Sequence, residues 1–487
     1  MSKVPINSLS TGIAGLDRIL AGGVPEYSFN VIAGAPGSGK TTLSHQIMFA
    51  MVEHSAPALY FTVLGEPPLK MLRYQQQYDF FDEQQIGRSI HYINLAEETY
   101  GGDLKQVFQR IIEEVQKHQP KLVFVDSFRS LVLASETEQG SSNRMQQFMQ
   151  QLGQLLTSWQ VTSFLIGEYI NESGNSPLFT VADGLIWLRQ SVQRNSMVRK
   201  LEVMKMRGQP TLPGLHTYRI VNAKGIEVFP PTDLAISFGD TFHGPGDSRL
   251  LMGVPHLDEM LGGGLPRGYS LLVAGPSGSG KTILASAFLA EGVRAGETGV
   301  LVSFEQNPFR SGNRVFADMI KNGQVSLVDR RAPDLSIDEL SLQLIAEIHR
   351  IKASRVVIDS LSGFELSLAP TFREDFRESL ARMVKALAST GATVLMVCEL
   401  EDRYNDLRFS PYGTAFLTDA IIVQRYIEVS SRLLRVMAVV KVRASAHSNE
   451  LRQFTVDSDG LHVGDMLIDQ EGILGGRPTI RSSSGSA

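Results

Sequence analysis

The chain of 487 residues holds a single cysteine, Cys398. That scarcity excludes an internal disulfide framework and a cysteine-rich zinc site, and it suits a reducing compartment, so a cytoplasmic protein is expected. Long apolar runs are missing as well. No stretch approaches the roughly 18 residues that span a bilayer, and the opening Met1-Ser-Lys-Val-Pro-Ile-Asn7 lacks the apolar core of a signal peptide. Nor is there an excess of either charge: 46 basic residues face 51 acidic ones, for a formal net charge of −5. Bulk electrostatics therefore draw the chain to neither nucleic acid nor an anionic membrane, and neither is an expected partner, although a locally basic channel stays open. Low-complexity sequence is absent before residues 476–487, which end in Arg481-Ser-Ser-Ser-Gly-Ser-Ala487 and are expected to form a disordered tail. A length of 487 residues, at roughly 100–200 per domain, excludes one small domain.

What the chain does contain is itself, twice. At an offset of 241, Gly12, Leu16, Asp17, Leu20, Gly22, Gly23 and Pro25 fall on Gly253, Leu257, Asp258, Leu261, Gly263, Gly264 and Pro266 without a gap. A solenoid repeat is about 20–50 residues long, so this period marks a duplicated domain. Domains over 1–235 and 236–475 are expected, joined where Pro230-Pro231 runs on to Gly244-Pro245-Gly246. Within each half, apolar runs alternate with longer helix-like stretches. The runs are Phe29–Ala33, Leu122–Val125 and Ser163–Ile166, then Ser270–Ala274, Val356–Ile358 and Thr393–Val397. Such runs predict parallel strands buried on both faces, hence an α/β fold in each half with a mostly parallel sheet flanked by helices.

The same offset superimposes Gly34-Ala-Pro-Gly-Ser-Gly-Lys40-Thr41 on Gly275-Pro-Ser-Gly-Ser-Gly-Lys281-Thr282. Both satisfy G-x-x-x-x-G-K-[ST] between a strand and a helix, the context that makes the motif a phosphate loop. Gly37, Ser38 and Gly39, with Gly278, Ser279 and Gly280, are expected to wrap backbone N–H groups around a nucleotide phosphate of ATP, helped by the positive end of the following helix. Lys40 and Lys281 are expected at the β- and γ-phosphates, with Thr42 and Ile283 next in line. The hydroxyls of Thr41 and Thr282 are expected to ligate Mg²⁺. The metal also needs an acid at a neighbouring strand end; Asp126 in Leu-Val-Phe-Val-Asp and Asp359 in Val-Val-Ile-Asp supply it, 86 and 78 residues after the two lysines.

On these residues the chain resembles the RecA-like ATPases, and among them the double-domain KaiC family of clock-associated proteins. The resemblance is carried by the leader Ser10-Thr-Gly-Ile-Ala-Gly-Leu-Asp17 and its copy from Gly253, both phosphate loops, both Asp-Ser strand ends and Lys205-Met-Arg207-Gly. It runs from about residue 8 to about residue 478 and implies two tandem RecA-like P-loop domains in a homohexamer of two stacked rings, with ATP between subunits. It implies that Lys205 and Arg207, and in the second half Lys441 and Arg443, reach the nucleotide of a neighbouring subunit. It further implies a pair of adjacent glutamates after the second strand, one of which orients or deprotonates the attacking water. With Pro68 aligned on Pro308, each half keeps one of the pair, Glu66 and Glu305, while Glu168 and Glu399 are secondary candidates for water positioning or nucleotide contact.

The second half departs from the family where its best-known members accept phosphate on a Ser-Thr pair. Here Ala415 and Phe416 precede Thr418-Asp419, and neither carries a hydroxyl. Autophosphorylation is therefore not expected, with Ser410, Thr414 and Thr418 the nearest alternative hydroxyls. Glu471-Gly-Ile-Leu-Gly-Gly-Arg-Pro-Thr479 is similar to the family's C-terminal loop, through which a partner acts. The expected activity is a Mg²⁺-dependent ATPase that switches the binding of regulatory protein partners, an adaptor or a sensor kinase. Two alternatives stay open: a scaffold glued by ATP with little turnover, and a single-stranded DNA motor using basic residues around Arg189, Arg194, Arg199 and Lys200.

Overall fold

The computed structural model describes residues 6–52, 57–63, 68–99, 104–127, 141–169, 180–193, 196–232, 248–304, 314–329, 336–368, 370–373, 376–400, 417–429, 431–467, 470–471 and 479–480. The chain divides into two compact units, Met1–Pro230 and Pro231–Ala487.

The first unit is built around β1 (Phe29–Gly34), buried at every position. A strand can be buried throughout only when both faces of its sheet are covered. Phe29, Val31 and Ala33 pack beneath α2 (Leu104–His118) and α3 (Ser141–Ser158), while Ile32 turns to the opposite face, against Leu43 and Ile47 of α1 (Lys40–Met51). The α2 helix presents Val107, Ile111 and Val115 on one stripe, the spacing that seats an amphipathic helix on a sheet. The other strands are β2 (Ala58–Thr62), β3 (Ile90–Asn94), β4 (Leu122–Asp126), β5 (Thr162–Glu168), β6 (Gly184–Gln193), β7 (Ser196–Met206), β8 (His216–Val221) and β9 (Gly225–Phe229). They form a nine-stranded sheet ordered β9-β8-β7-β6-β1-β5-β4-β2-β3. The pairings from β6 through β3 are parallel, and those among β6, β7, β8 and β9 are antiparallel.

The second unit repeats this plan. Its strands are β10 (Ser270–Gly275), β11 (Gly299–Ser303), β12 (Val325–Asp329), β13 (Arg355–Asp359), β14 (Thr393–Glu399), β15 (Ala420–Val429), β16 (Arg432–Val442), β17 (Arg452–Asp457) and β18 (Gly460–Met466). The order β18-β17-β16-β15-β10-β14-β13-β11-β12 matches the first sheet strand for strand. One face carries α4 (Lys281–Arg294) and the other α5 (Ile337–Ile351) and α6 (Phe376–Ser389). The two units are thus tandem α/β domains with mostly parallel sheets, as the alternating apolar runs predict.

A bulge recurs at one point of each antiparallel arm. Leu185 opposes Lys205 but Ile186 opposes Val203, and Ile421 opposes Lys441 but Ile422 opposes Val439. An extra residue in one strand re-aims the side chains beside it. In both units the re-aimed lysine is one that the sequence singles out.

Candidate functional site

Each phosphate loop follows the central strand and opens the first long helix. Gly37 and Gly39 have φ of 75° and 94°, and Gly278 and Gly280 have φ of 74° and 101°. These left-handed conformations are strained for any residue with a Cβ, which is why glycine stands there. Gly39 and Gly280 cap the helices at Lys40 and Lys281, so the positive helix ends face the loops. Lys40 Nζ donates to the loop carbonyl of Ala35 at 2.9 Å and lies 4.0 Å from Glu168 Oε1. Lys281 Nζ donates to Gly275 at 2.9 Å and Pro276 at 2.7 Å. Burial lowers the pKa of Lys40, while Glu168 and Asp126 pull it back up. Glu168 and Glu399 close the strands beside the loops, opposite Gly34 and Gly275. Thr42 is half-buried, and Ile283 is partly buried against the core below its loop.

The predicted metal pairs are assembled in both units. Thr41 Oγ1 donates to Asp126 Oδ2 at 2.9 Å, and Thr282 Oγ1 donates to Asp359 Oδ2 at 2.8 Å. A hydroxyl and a carboxylate side by side are hard oxygen donors of the kind Mg²⁺ takes, the remaining positions falling to phosphate and water. Burial raises the pKa of Asp126, opposed by hydrogen bonds from Tyr60 and Thr41 and by the charge of Lys40. A divalent cation fits such a half-buried carboxylate because it compensates the charge. Among the described residues no group of three or more His, Cys, Asp or Glu forms a separate cage.

Bracing of the two loops differs. In the first unit Tyr218 Oη donates to Ser38 O at 2.5 Å and Gln190 Nε2 donates to Pro36 O at 2.9 Å. In the second, Ser279 Oγ donates to Gln424 Oε1 at 3.0 Å. Sequence reasoning missed these residues because their strands lie far along the chain. The one signal, for Tyr218 and Gln424, is a polar group at an inward position of a strand.

Lys205, Arg207, Lys441 and Arg443 stand elsewhere. Arg207 Nη1 donates to Asp183 Oδ1 at 3.1 Å, and Asp183 Oδ2 accepts from Phe29 N, at the start of β1. Lys205 Nζ donates to the carbonyls of Thr180 and Ala182. The phosphate loop leaves the other end of β1, after Gly34, about 17 Å away at roughly 3.3 Å per residue. The second unit repeats this: Arg443 bonds Asp419 at 3.3 Å, Asp419 accepts from Ser270 N, and Lys441 Nζ donates to Thr418 O at 2.6 Å. Burial lowers the pKa of both lysines, helped by the neighbouring arginine and opposed by the aspartate. Neither Lys-Arg pair therefore sits at the phosphate loop of its own unit.

Glu66 and Glu305 lie outside the described residues, as do Arg194, Ser410, Thr414, Ala415, Phe416 and the tail from 481. The described strand ends nearest to the two glutamates give a sequence count for aligning them. Thr62 opposes Asp126 and Ser303 opposes Asp359, an offset of 241, one residue away from the alignment of Pro68 on Pro308. Counted from these strand ends, Glu305 follows by two residues and Glu66 by four, with Leu64 at the position matching Glu305. Of the basic residues suggested for a nucleic-acid channel, Arg189 is ion-paired with Glu202 across β6 and β7.

Around the second loop a cavity of about 950 Å³ is lined by Gly278, Lys281, Thr282, Ser303, Asp359 and Glu399 among others. Loop, lysine, Thr-Asp pair and strand order together define a RecA-like P-loop ATPase fold, present twice. The family model "ATPase: KaiC" matches residues 9–233 and again 250–467, and the chain belongs to that family. Its curated relatives include the circadian clock protein KaiC3 of Synechocystis sp., 27% identical over 98% of this chain and 96% of that protein. The circadian clock oscillator protein KaiC of Picosynechococcus sp. is 26% identical over 97% of this chain and 93% of its own length. That family binds nucleotide and is defined by its ATPase domain, here in two copies.

Proposed function

We propose that the protein is a Mg²⁺-dependent ATPase that assembles as a homohexamer and uses ATP turnover to switch its binding of regulatory protein partners in the cytoplasm. One observation carries the assembly: each Lys-Arg pair lies at the sheet end remote from the phosphate loop of its own unit. A cation so placed serves a nucleotide only when supplied to a neighbouring subunit, as an arginine finger is.

In this reading the backbone N–H groups of Gly37–Gly39 and Gly278–Gly280 hold the phosphates, and Lys40 and Lys281 orient the γ-phosphoryl group. Thr41 with Asp126, and Thr282 with Asp359, hold Mg²⁺, which when bound neutralises charge on the β- and γ-phosphates. Lys205 and Arg207, or Lys441 and Arg443, arrive from the adjacent subunit and stabilise charge on the transferring group. Glu305 orients the attacking water in the second site, and Glu66 is the retained carboxylate of the first. Loss of γ-phosphate contacts on hydrolysis then reorders the loops that partners read. With Ala415 and Phe416 at the acceptor positions, phosphate goes to water and not to the chain.

A second reading holds for the first site alone. Counted in sequence from Thr62 and Ser303, Leu64 falls where Glu305 falls, which favours a site that binds ATP tightly and turns it over slowly, joining subunits. Phosphate release with excess Mg·ATP, measured for wild type, Glu66→Gln, Glu305→Gln and the double variant with oligomer mass recorded alongside, tests both. Loss of turnover with the hexamer intact supports the ATPase switch; equal rates in all four overturn it in favour of a nucleotide-glued scaffold.

A further inference from the structure

Tyr60 lies in the middle of β2, its side chain fully buried. Its ring stacks on Phe124 at 5.9 Å and tilts against His45 at 4.5 Å and Tyr92 at 5.3 Å. Burying a phenol is costly unless its hydroxyl is bonded. Here the hydroxyl donates to Asp126 Oδ2 at 2.8 Å and lies 3.2 Å from Ser44 Oγ. Asp126 Oδ2 is also the oxygen that accepts from Thr41 at 2.9 Å. One carboxylate oxygen thus takes two O–H donors, from the strand beside it and from the first turn of α1.

The second unit builds the same place differently. Tyr60 opposes Phe124 two residues before Asp126, and Leu301 opposes Val357 two residues before Asp359. Leucine has no hydroxyl to offer. Around it, Ser286 and Leu327 stand at the positions of His45 and Tyr92.

We propose that Tyr60 is a positioning residue of the first site alone, its hydroxyl holding the Asp126 carboxylate against Thr41 so that the site takes a divalent cation with ATP more tightly. This rests on the reading of Thr41 and Asp126 as the metal-holding pair. Without the hydroxyl, the half-buried carboxylate has one donor fewer to fix its rotamer. A hydrogen bond to a charged group is worth enough to shift binding by an order of magnitude.

The test uses the full chain carrying Lys281→Ala, so that the first site alone reports, with Mn²⁺ as the cation and free Mn²⁺ read by electron paramagnetic resonance in the presence of ATP. Tyr60→Phe keeps the ring, Tyr60→Leu copies the second site, and Asp126→Asn removes the ligand. For both Tyr60 variants half-saturating Mn²⁺ is expected to rise roughly 5- to 20-fold, while ATP binding in EDTA stays at the wild-type value. In a Lys40→Ala background, Tyr60→Phe is expected to leave the second site's value unchanged. An unchanged or lower value for Tyr60→Phe beside a raised one for Asp126→Asn overturns the role of Tyr60 only. Loss of ATP binding in EDTA also overturns it, because the tyrosine would then be merely structural. An unchanged value for Asp126→Asn overturns the metal pair itself.

Discussion

Arg207 is anchored on Asp183 at 3.1 Å, at the end of the first sheet opposite to the end where Lys40 opens its helix. The Arg207 side chain is 61% exposed, so its guanidinium is both positioned and accessible. In a Lys281→Ala background, Arg207→Ala is expected to lower phosphate release at least tenfold, fingers supplied in trans being worth roughly 10³–10⁵ elsewhere. Mixing Arg207→Ala subunits with Lys40→Ala subunits restores part of the rate, because one partner brings a live loop and the other a live arginine. A mixture no faster than its components shows that the arginine does not act in trans.

Counted in sequence from Thr62 and Ser303, which hold matching register positions, Glu66 and Glu305 do not fall together, and unequal roles are expected of them. Glu305→Gln is expected to lower total phosphate release by roughly 10²-fold, the usual worth of a general base, whereas Glu66→Gln changes it by less than about threefold on the same reasoning. Steady-state phosphate release checks both, and equal losses would restore the equivalence suggested by aligning the prolines.

His45 is wholly buried, with Nδ1 2.7 Å from Thr41 O, and burial pushes its imidazole down to about 4. The folded pKa lies below the unfolded value of about 6.5, so its contribution is complete above pH 6.5 and is lost as pH falls towards 4. The loss is on the order of 3 kcal/mol at about 1.4 kcal/mol per unit. Urea unfolding of wild type and His45→Gln across this range is expected to show a stability difference that shrinks with acidification. The second unit has Ser286 at this position and lacks the effect.

Arg355 is 2% exposed, with three of its N–H donors engaged. Its Nε donates to Glu297 at 2.6 Å, its Nη1 donates to Leu251 O and Phe288 O at 2.8 Å, and the guanidinium stacks over Phe288 at 4.6 Å. Both arginines bonded to Glu297, Arg355 and Arg267, hold its pKa below the usual carboxylate value against the opposing effect of burial. Arg355→Ala leaves two carbonyls without their donor and Glu297 with Arg267 alone, an expected loss of about 2–3 kcal/mol for unmade buried hydrogen bonds. Chemical denaturation should show it in the second unit, with Arg355→Lys recovering little, because an ammonium cannot reproduce the planar fork.

Two kinds of information shape this molecule. The parallel core was legible because burial on both faces demands unbroken apolar runs such as Phe29–Ala33, and the phosphate loops because only glycine tolerates the conformations at Gly37, Gly39, Gly278 and Gly280. Asp126 and Asp359 were legible because each closes such a run. The antiparallel arms were not, since their strands mix exposed and buried positions, as Ser196–Met206 does. No local pattern reveals the bulges that aim Lys205 and Lys441, because a bulge exists only relative to a partner strand. The amino-acid order by itself determined the duplication, the doubly covered sheets and the chemistry of the two loops, all set by local residue type and spacing. Tertiary structure alone decided that Tyr60 reaches Asp126, that Tyr218 holds the first loop, and that each Lys-Arg pair lies a strand's length from its own phosphate loop. Those relations join residues tens to hundreds of positions apart, and only strand order and register bring them together or keep them separate.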